Sequence, residues 1–231
     1  MEKHSRTIFT WILVIATAGY LAYTWLPPLR PVAPDPQLPA LEVSLGSVAV
    51  IAQRQRVLGY QRENYGQGWG PARIPGIEHC TAREAAIMSQ TKSGIPSVAT
   101  SPPCQNGSLY LFDPYSASQI ALRDRTQCVE IDHVFPLSAS WDMGAWAWDE
   151  RTRKAFANDP LNLVATGSSL NQDKSDQLPS QWMPPEKATR CWYVQRVAAV
   201  AAKYRLSLTT SDVKTMRRAC RLVMGPPLSL G

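Results

Sequence analysis

A short apolar run in the middle of the chain carries two ionisable side chains, and this restricts the folds open to the sequence. Residues 131–137, which follow Glu130, are apolar apart from Asp132 and His133, a pattern that predicts a strand buried in a hydrophobic core. Burial of Asp132 and His133 is costly unless each has a partner or a chemical role. Neighbouring side chains of an ideal strand point to opposite faces, so these two converge only if the strand ends or bulges there. Pro136 is consistent with such an end.

Two asparagines downstream extend this pattern. Residues 161–166 predict a second short strand that carries Asn162, and residues 170–177 predict a helix that carries Asn171. The order strand, loop, strand, helix would bring both amides close to His133. Taken singly, a strand histidine is more often structural and such asparagines are more often turns or caps. The functional prediction depends on finding His133, Asn162 and Asn171 together and in this order.

The residue types suit phosphodiester hydrolysis, which needs an activated water, neutralisation of phosphate charge and stabilisation of the leaving oxygen. A hard divalent cation with oxygen ligands supplies the last two. A histidine that is neutral near pH 7 supplies the first. Asp132 would then be a metal ligand and His133 the base.

The pattern Asp132-His133, Asn162, Asn171 resembles the HNH endonucleases, the ββα-metal or His-Me finger nucleases. It is most similar to the family that includes the C-terminal domain of GmrSD-type restriction endonucleases and exported actinobacterial HNH proteins. The similarity extends from about residue 41 to residue 221. Further matching blocks are Gly59–Glu63, Cys80–Arg83, Asp113–Tyr115, Phe156–Asp159, Trp182–Pro185, Arg190–Val194 and Lys203–Leu206.

Departures from the family pattern are small. Phe135 and Ser140 stand where valine and a second alanine are more usual, and Ser175 stands where glycine is usual. None of these changes removes a catalytic atom. The resemblance therefore implies an active protein.

The resemblance implies roles for single residues. His133 would be the general base, and Asn162 would hold its imidazole through the backbone or the side chain. Asp132 and Asn171 would bind one divalent ion, Mg²⁺. No small-molecule cofactor is implied. We also expect Lys174 and Arg83 to bind the substrate.

The resemblance also implies a fold and an activity. The fold class is α+β, with a ββα-metal finger at about residues 128–178 inside a mainly helical, disulfide-stabilised domain. The activity is a metal-dependent endonuclease that cuts nucleic acid, with DNA as the expected substrate. The alternative is a non-catalytic, polyanion-binding exported envelope domain of the same fold. A third possibility is a structural exported domain with a buried Asp132–His133 pair.

The N-terminus indicates export. Residues 7–26 contain no charge, and twenty helical residues at ~1.5 Å each span the ~30 Å hydrocarbon layer of a bilayer. Residues 1–26 are therefore expected to be a transmembrane signal anchor, or a signal peptide cleaved near Ala18. Either places the rest outside the cytoplasm, membrane-anchored or secreted. Residues 27–40 hold six prolines and predict a stiff linker, which leaves 41–231 as the nuclease domain.

Five widely spaced cysteines, with no CxxC pair, agree with an exported protein and disfavour a zinc site. Two disulfides with one free thiol is the natural count. Proximity favours Cys80–Cys104 and Cys191–Cys220, with Cys128 left over, although spacing does not determine connectivity. The family resemblance implies the same two pairs.

Charge and local patterns complete the expectations. The net charge is +6, and residues 151–231 hold 13 basic against 5 acidic side chains, so this part could face phosphates or a membrane surface. Thr81 and Glu84 predict a capping box that starts a short helix. Residues 109–112 predict a strand, and residues 191–204 and 212–223 predict helices.

Overall fold

The chain divides into two compact units, residues 1–31 and residues 32–231. The computed structural model describes residues 10–18, 35, 37–91, 110–122 and 129–221. In the first unit, residues 10–18 form a helix, α1. Within the described ranges, no helix combines the length and the apolar character needed to cross a membrane. Residues 7–9 and 19–26 of the predicted segment lie outside those ranges.

The second unit combines helices with short strands, which confirms the predicted α+β class. Three two-stranded sheets are present among its described residues: β1 with β6, β2 with β3, and β4 with β5. In chain order the elements are α2 (Leu41–Leu45), β1 (Val50–Ile51), α3 (Ala82–Ser89), β2 (Tyr110–Asp113), β3 (Ser118–Ala121), β4 (Val129–His133), α4 (Leu137–Asp142), α5 (Glu150–Ala157), β5 (Leu163–Gly167), α6 (Ser168–Lys174), α7 (Arg190–Tyr204), β6 (Leu208–Thr209) and α8 (Thr210–Arg221).

The strands β4 and β5 form an antiparallel pair, and α6 follows β5 directly. The register runs from Val129 opposite Gly167 to His133 opposite Leu163. Helix α6 contacts both strands. The two strands and the following helix thus have the predicted order, but the connection between the strands contains α4 and α5 and is not a plain loop. Asn162, however, lies in a 3₁₀ turn before β5 and not inside the strand.

The main core is built around α7, the longest helix of the second unit's described residues. Val194, Val197 and Val200 are completely buried, and each buried valine stabilises the fold by about 1.5–3 kcal/mol. Helices α2 and α8 pack against α7. A disulfide between Cys191 and Cys220 joins α7 to α8 and confirms that predicted pair.

The predicted helix after Cys80 is present as α3, and its capping box is confirmed. The Thr81 hydroxyl accepts from the Glu84 amide at 3.2 Å, and the Glu84 carboxylate accepts from the Thr81 amide at 2.8 Å. Cys80 is disulfide-bonded. Cys104 and Cys128 lie outside the described residues, so the predicted Cys80–Cys104 pair stays a prediction.

The end of the proline-rich stretch belongs to the folded unit. The Gln195 side chain on α7 is buried, and its carbonyl accepts from the Asp35 amide at 2.9 Å. Its amide nitrogen donates to the carbonyl of Pro39 at 3.1 Å and to that of Leu38 at 3.4 Å. An extended proline-rich segment leaves its backbone polar groups unpaired, and Gln195 satisfies several of them. These bonds tie residues 35–39 to α7, whereas the sequence predicts that the folded domain begins near Leu41.

Candidate functional site

His133 is the last residue of β4, and its imidazole is buried on one face of the strand pair. Its Nε2 lies 2.9 Å from the carbonyl oxygen of Ala157, at the end of α5. Trp69 stacks on the ring, with the centroids 5.7 Å apart and the planes 16° from parallel. A carbonyl oxygen only accepts, so in neutral His133 the hydrogen is on Nε2 and the lone pair is on Nδ1. The ring is held as a proton acceptor.

The environment of His133 keeps it neutral at physiological pH. Burial lowers the pKa of the imidazole to about 4, and the nearby charges of Arg62 and Lys174 act in the same direction. The hydrogen bond to Ala157 opposes this shift. A neutral histidine with a free lone pair can accept a proton from water.

A small cleft of about 80 Å³ gives access to His133. Arg62, Tyr65 and Trp69 contribute to its wall. The Tyr65 hydroxyl donates to the carbonyl of Leu137 at 3.0 Å, which ties the 3₁₀ turn Arg62–Tyr65 to α4. The remaining lining residues are Gly66, Gly68, Leu137 and Ala157. The cleft thus lies between the strand pair and a loop that the sequence places about seventy residues earlier.

Asn162 fixes the backbone that follows His133. Its carbonyl accepts from the Val134 amide at 2.8 Å, and its side-chain oxygen accepts from the Phe135 amide at 2.8 Å. Its amide nitrogen donates to the Phe135 carbonyl at 3.3 Å. The two side-chain bonds to Phe135 hold the backbone between the end of β4 and the start of α4. The imidazole itself is held by Ala157 rather than by Asn162, contrary to the expected contact.

Asp132 lies on the opposite face of β4 from His133, because the strand is regular up to its end. Its Oδ1 is 2.9 Å from the Lys174 ammonium, and its Oδ2 accepts from the Tyr115 hydroxyl at 2.6 Å. Lys174 also donates to the His133 carbonyl at 2.8 Å. The expected convergence of Asp132 and His133 is therefore not found.

The Asp132–Lys174 ion pair is inside the protein. The side chains are 5% and 0% exposed. Burial raises the pKa of the Asp132 carboxyl, and the charge of Lys174 opposes that shift. Burial lowers the pKa of Lys174, and Asp132 opposes it in turn. Removal of either partner would leave an uncompensated buried charge.

Asn171 lies on the same side of the strand pair as Asp132, but its contact is with Glu130. The Asn171 amide nitrogen donates to the Glu130 carboxylate at 2.7 Å. Glu130 shares a face of β4 with Asp132, because residues two apart on a strand point the same way. That period of two is a signal in the sequence that could have identified Glu130.

The donor groups fit a divalent cation only in part. In the described ranges, no group of three or more His, Cys, Asp or Glu side chains could hold a metal ion. Both oxygens of Asp132 are already bound by Lys174 and Tyr115, so Asp132 does not fit a ligand role in this arrangement. Glu130 and Asn171 offer oxygen donors of the kind that hard divalent cations take.

The two residues expected to bind substrate lie away from the His133 cleft. Lys174 is completely buried in its ion pair, so it cannot contact a substrate without leaving Asp132. Arg83 on α3 is half-buried and donates to the carbonyl of Val129 at 3.4 Å, at the start of β4. The cation that does line the cleft is Arg62, which the sequence pattern did not single out.

Comparison with known proteins supports the pattern around this site. A family model described as the C-terminal domain of GmrSD restriction endonucleases matches residues 104–219, about half of the chain. The chain is also 31% identical over 209 residues to an "Uncharacterized secreted protein" of Arthroderma benhamiae. That alignment covers 88% of this chain and 94% of the relative. No solved structure gives a significant match.

Proposed function

Because the chain belongs to the family of the GmrSD restriction endonuclease C-terminal domain, we propose that it is a nuclease that hydrolyses phosphodiester bonds of nucleic acid, with DNA as the substrate. One observation carries the proposal. His133 is buried and neutral, its Nε2 is held by the Ala157 carbonyl, and its side chain lines a cleft, so Nδ1 is the ring nitrogen that would accept a proton. We further propose that β4, β5 and α6 form the ββα-metal finger, at about residues 128–178.

In this proposal His133 is the general base. Nδ1 takes a proton from the attacking water, while the Ala157 carbonyl and the Trp69 ring keep the imidazole in one orientation. General-base catalysis of this kind contributes about 10²–10⁴-fold to a rate. Asn162 acts on the reaction through the backbone, because it fixes the chain immediately after His133.

We propose that the protein uses a divalent cation, Mg²⁺, held by Asn171 together with Glu130. Glu130 and Asn171 lie on the face of β4 opposite the His133 imidazole, so an ion bound there would neutralise phosphate charge on the nucleic acid but would not contact the bond beside His133. Asp132 stays a predicted ligand, and it would have to exchange Lys174 for the ion. Titration calorimetry with Mg²⁺ tests this directly, because Glu130→Gln should weaken Mg²⁺ binding. If Asp132→Asn weakens Mg²⁺ binding and Glu130→Gln does not, the ligands are Asp132 and Asn171, as the sequence predicts.

We propose that the protein acts outside the cytoplasm. The relative in Arthroderma benhamiae carries the description "secreted". The uncharged N-terminal segment and the disulfide between Cys191 and Cys220 are consistent with export. Cell fractionation, with sequencing of the mature N-terminus, distinguishes a cleaved signal peptide from a retained anchor.

The activity is tested with the purified full chain and four substrates: single- and double-stranded DNA and RNA. Mg²⁺ should support cleavage, EDTA should stop it, and His133→Ala should lower the rate at least 10²-fold on the scale of general-base effects. Thermal melting checks that the variant is folded. Equal cleavage by both proteins, or none with any divalent metal, would refute the proposal.

A second candidate function is favoured by the Asp132–Lys174 pair, since an internal cation occupies the predicted metal ligand. In that case the chain is a non-catalytic, polyanion-binding exported domain of the same fold. Its basic part, residues 151–231, would contact phosphates. DNA binding would then be salt-sensitive, unaffected by EDTA and unchanged in His133→Ala.

A further inference from the structure

Arg62 is a positively charged side chain on the wall of the His133 cleft. The side chain is exposed, and no carboxylate in the described part of the chain forms an ion pair with it. Other arginines are neutralised, as Arg54 is by Asp142 and Asp176. Arg62 therefore presents its charge to whatever enters the cleft.

The backbone that carries Arg62 is fixed by hydrogen bonds of the neighbouring residues. Asn64, in the same 3₁₀ turn, donates from its side chain to the Gly59 carbonyl at 3.2 Å. The Asn64 carbonyl accepts from the Arg153 guanidinium at 3.2 Å. Tyr65 is buried and bonded to Leu137. A fixed backbone lowers the entropy lost when the side chain binds a ligand.

The rest of the cleft favours an anion. Apart from Arg62 and the neutral His133, the lining side chains are aromatic, aliphatic or glycine, and none of the described lining residues is a carboxylate. A guanidinium offers a planar fork of N–H donors that matches two phosphate oxygens. The described lining thus has no negative charge that would repel a phosphate, and the Arg62 guanidinium is suited to bind one.

We propose that Arg62 is a substrate-binding residue that holds the phosphate of the bond to be cut within reach of His133. This inference rests on the proposed nuclease function and adds a residue outside the pattern of Asp132, His133, Asn162 and Asn171. The contact is to the sugar–phosphate backbone, so it orients the substrate and does not discriminate between bases. Arg62, and not Lys174 or Arg83, is then the residue expected to bind phosphate beside the general base His133.

The test compares Arg62→Ala and Arg62→Lys with wild type in the full chain. Arg56→Ala is the matched control, because Arg56 is also exposed and does not line the His133 cleft. Arg62→Ala should lower kcat/KM about 10–100-fold, the effect of one lost hydrogen bond to a charged group. Arg62→Lys should retain part of the activity, since it keeps a point charge without the fork.

Two readouts separate substrate contact from a structural role. Free guanidinium should restore part of the activity of Arg62→Ala, with its melting temperature unchanged from wild type. The slope of log Kd against log salt should fall by about 0.7–0.9, the value for one phosphate contact. Unchanged kcat/KM, an effect equal to that of Arg56→Ala, or a parallel loss of stability without rescue would overturn the assignment.

Failure of this inference is distinguishable from failure of the nuclease function. If wild type cuts and His133→Ala does not, the function stands and the Arg62 variants decide the inference alone. If wild type does not cut, fluorescence anisotropy with a labelled DNA oligonucleotide still decides it. Weaker binding by Arg62→Ala than by Arg56→Ala then supports the phosphate contact, and equal binding overturns it.

Discussion

Replacement of Lys174 by methionine tests the buried ion pair that lies beneath the candidate site. The substitution keeps the length of the side chain and removes the ammonium that binds Asp132 at 2.9 Å and the His133 carbonyl at 2.8 Å. Only uncharged donors, the Tyr115 hydroxyl and the His133 backbone amide, would be left for the Asp132 carboxylate among the described residues. Both partners are almost fully buried, so water does not replace the lost contact.

The expected loss is large because one charge is left unpaired. Removal of one partner of a buried pair costs about 3–5 kcal/mol. In a domain of roughly this size each kcal/mol corresponds to about 2–4 °C, so the melting temperature should fall by about 6–20 °C. The double variant Asp132→Asn/Lys174→Met should recover a substantial part of this loss, since it carries no buried charge.

The loss should depend on pH in a definite direction. Without Lys174 the pKa of the Asp132 carboxyl rises further above its unfolded value of about 3.9. A carboxyl with a raised folded-state pKa binds its proton more tightly in the folded protein, so stability falls as pH rises through that window. Lys174→Met should therefore be closer to wild type at pH 5 than at pH 8.

Chemical denaturation followed by circular dichroism, at both pH values and without added metal, measures these free energies of unfolding. The control is Lys154→Met, since Lys154 forms an exposed pair with Glu150 on α5. Exposed pairs contribute about 0–1 kcal/mol. A loss from Lys174→Met no larger than that of the control, or no recovery in the double variant, would refute the account of a buried, paired charge.

Three further predictions concern His133, the hydrogen bonds of Asn162 to Phe135, and the disulfide. Nuclease activity should fall as pH drops through about 4, where His133 becomes protonated. Trp69→Ala should expose the imidazole and move the acidic inflection of the pH–rate profile toward pH 6.5. An acidic inflection at the same pH in wild type and Trp69→Ala would contradict the role of Trp69. Asn162→Ala should lower the free energy of unfolding, measured by denaturant, by about 1–3 kcal/mol, because the Phe135 amide is left buried without its partner. A smaller loss would contradict the structural role of the Asn162 side chain. Replacement of Cys191 and Cys220 by alanine should cost about 3–4 kcal/mol for a separation of 29 residues, with specific activity unchanged at a temperature where the variant is folded.

The order of elements around the site was predictable from local patterns. The apolar run at residues 131–137 and the capping box at Thr81 each depend on neighbours within a few residues. Those local signals placed β4 and α3 correctly. The strand ended earlier than the apolar run indicated, because the Asn162 side chain, and not a main-chain carbonyl of the partner strand, accepts from the Phe135 amide.

The partners of the site residues were not predictable, because they come from distant parts of the chain. Lys174 is 42 residues from Asp132, and no local pattern shows that the two side chains meet. Trp69 was one of several aromatics in a glycine-rich stretch, and its stacking on His133 depends on the path of the whole loop. The side chains on a strand alternate, which was recognised, but whether the strand bulges at Asp132 depends on tertiary contacts.

The measurement that tests the central claim most directly is chemical rescue of His133→Ala by free imidazole. The full chain is assayed for cleavage of a labelled DNA oligonucleotide with Mg²⁺, with and without imidazole. The account predicts a folded, nearly inactive variant whose activity returns in proportion to the unprotonated imidazole present. A variant that cuts as fast as wild type without imidazole would contradict the assignment of His133 as the base.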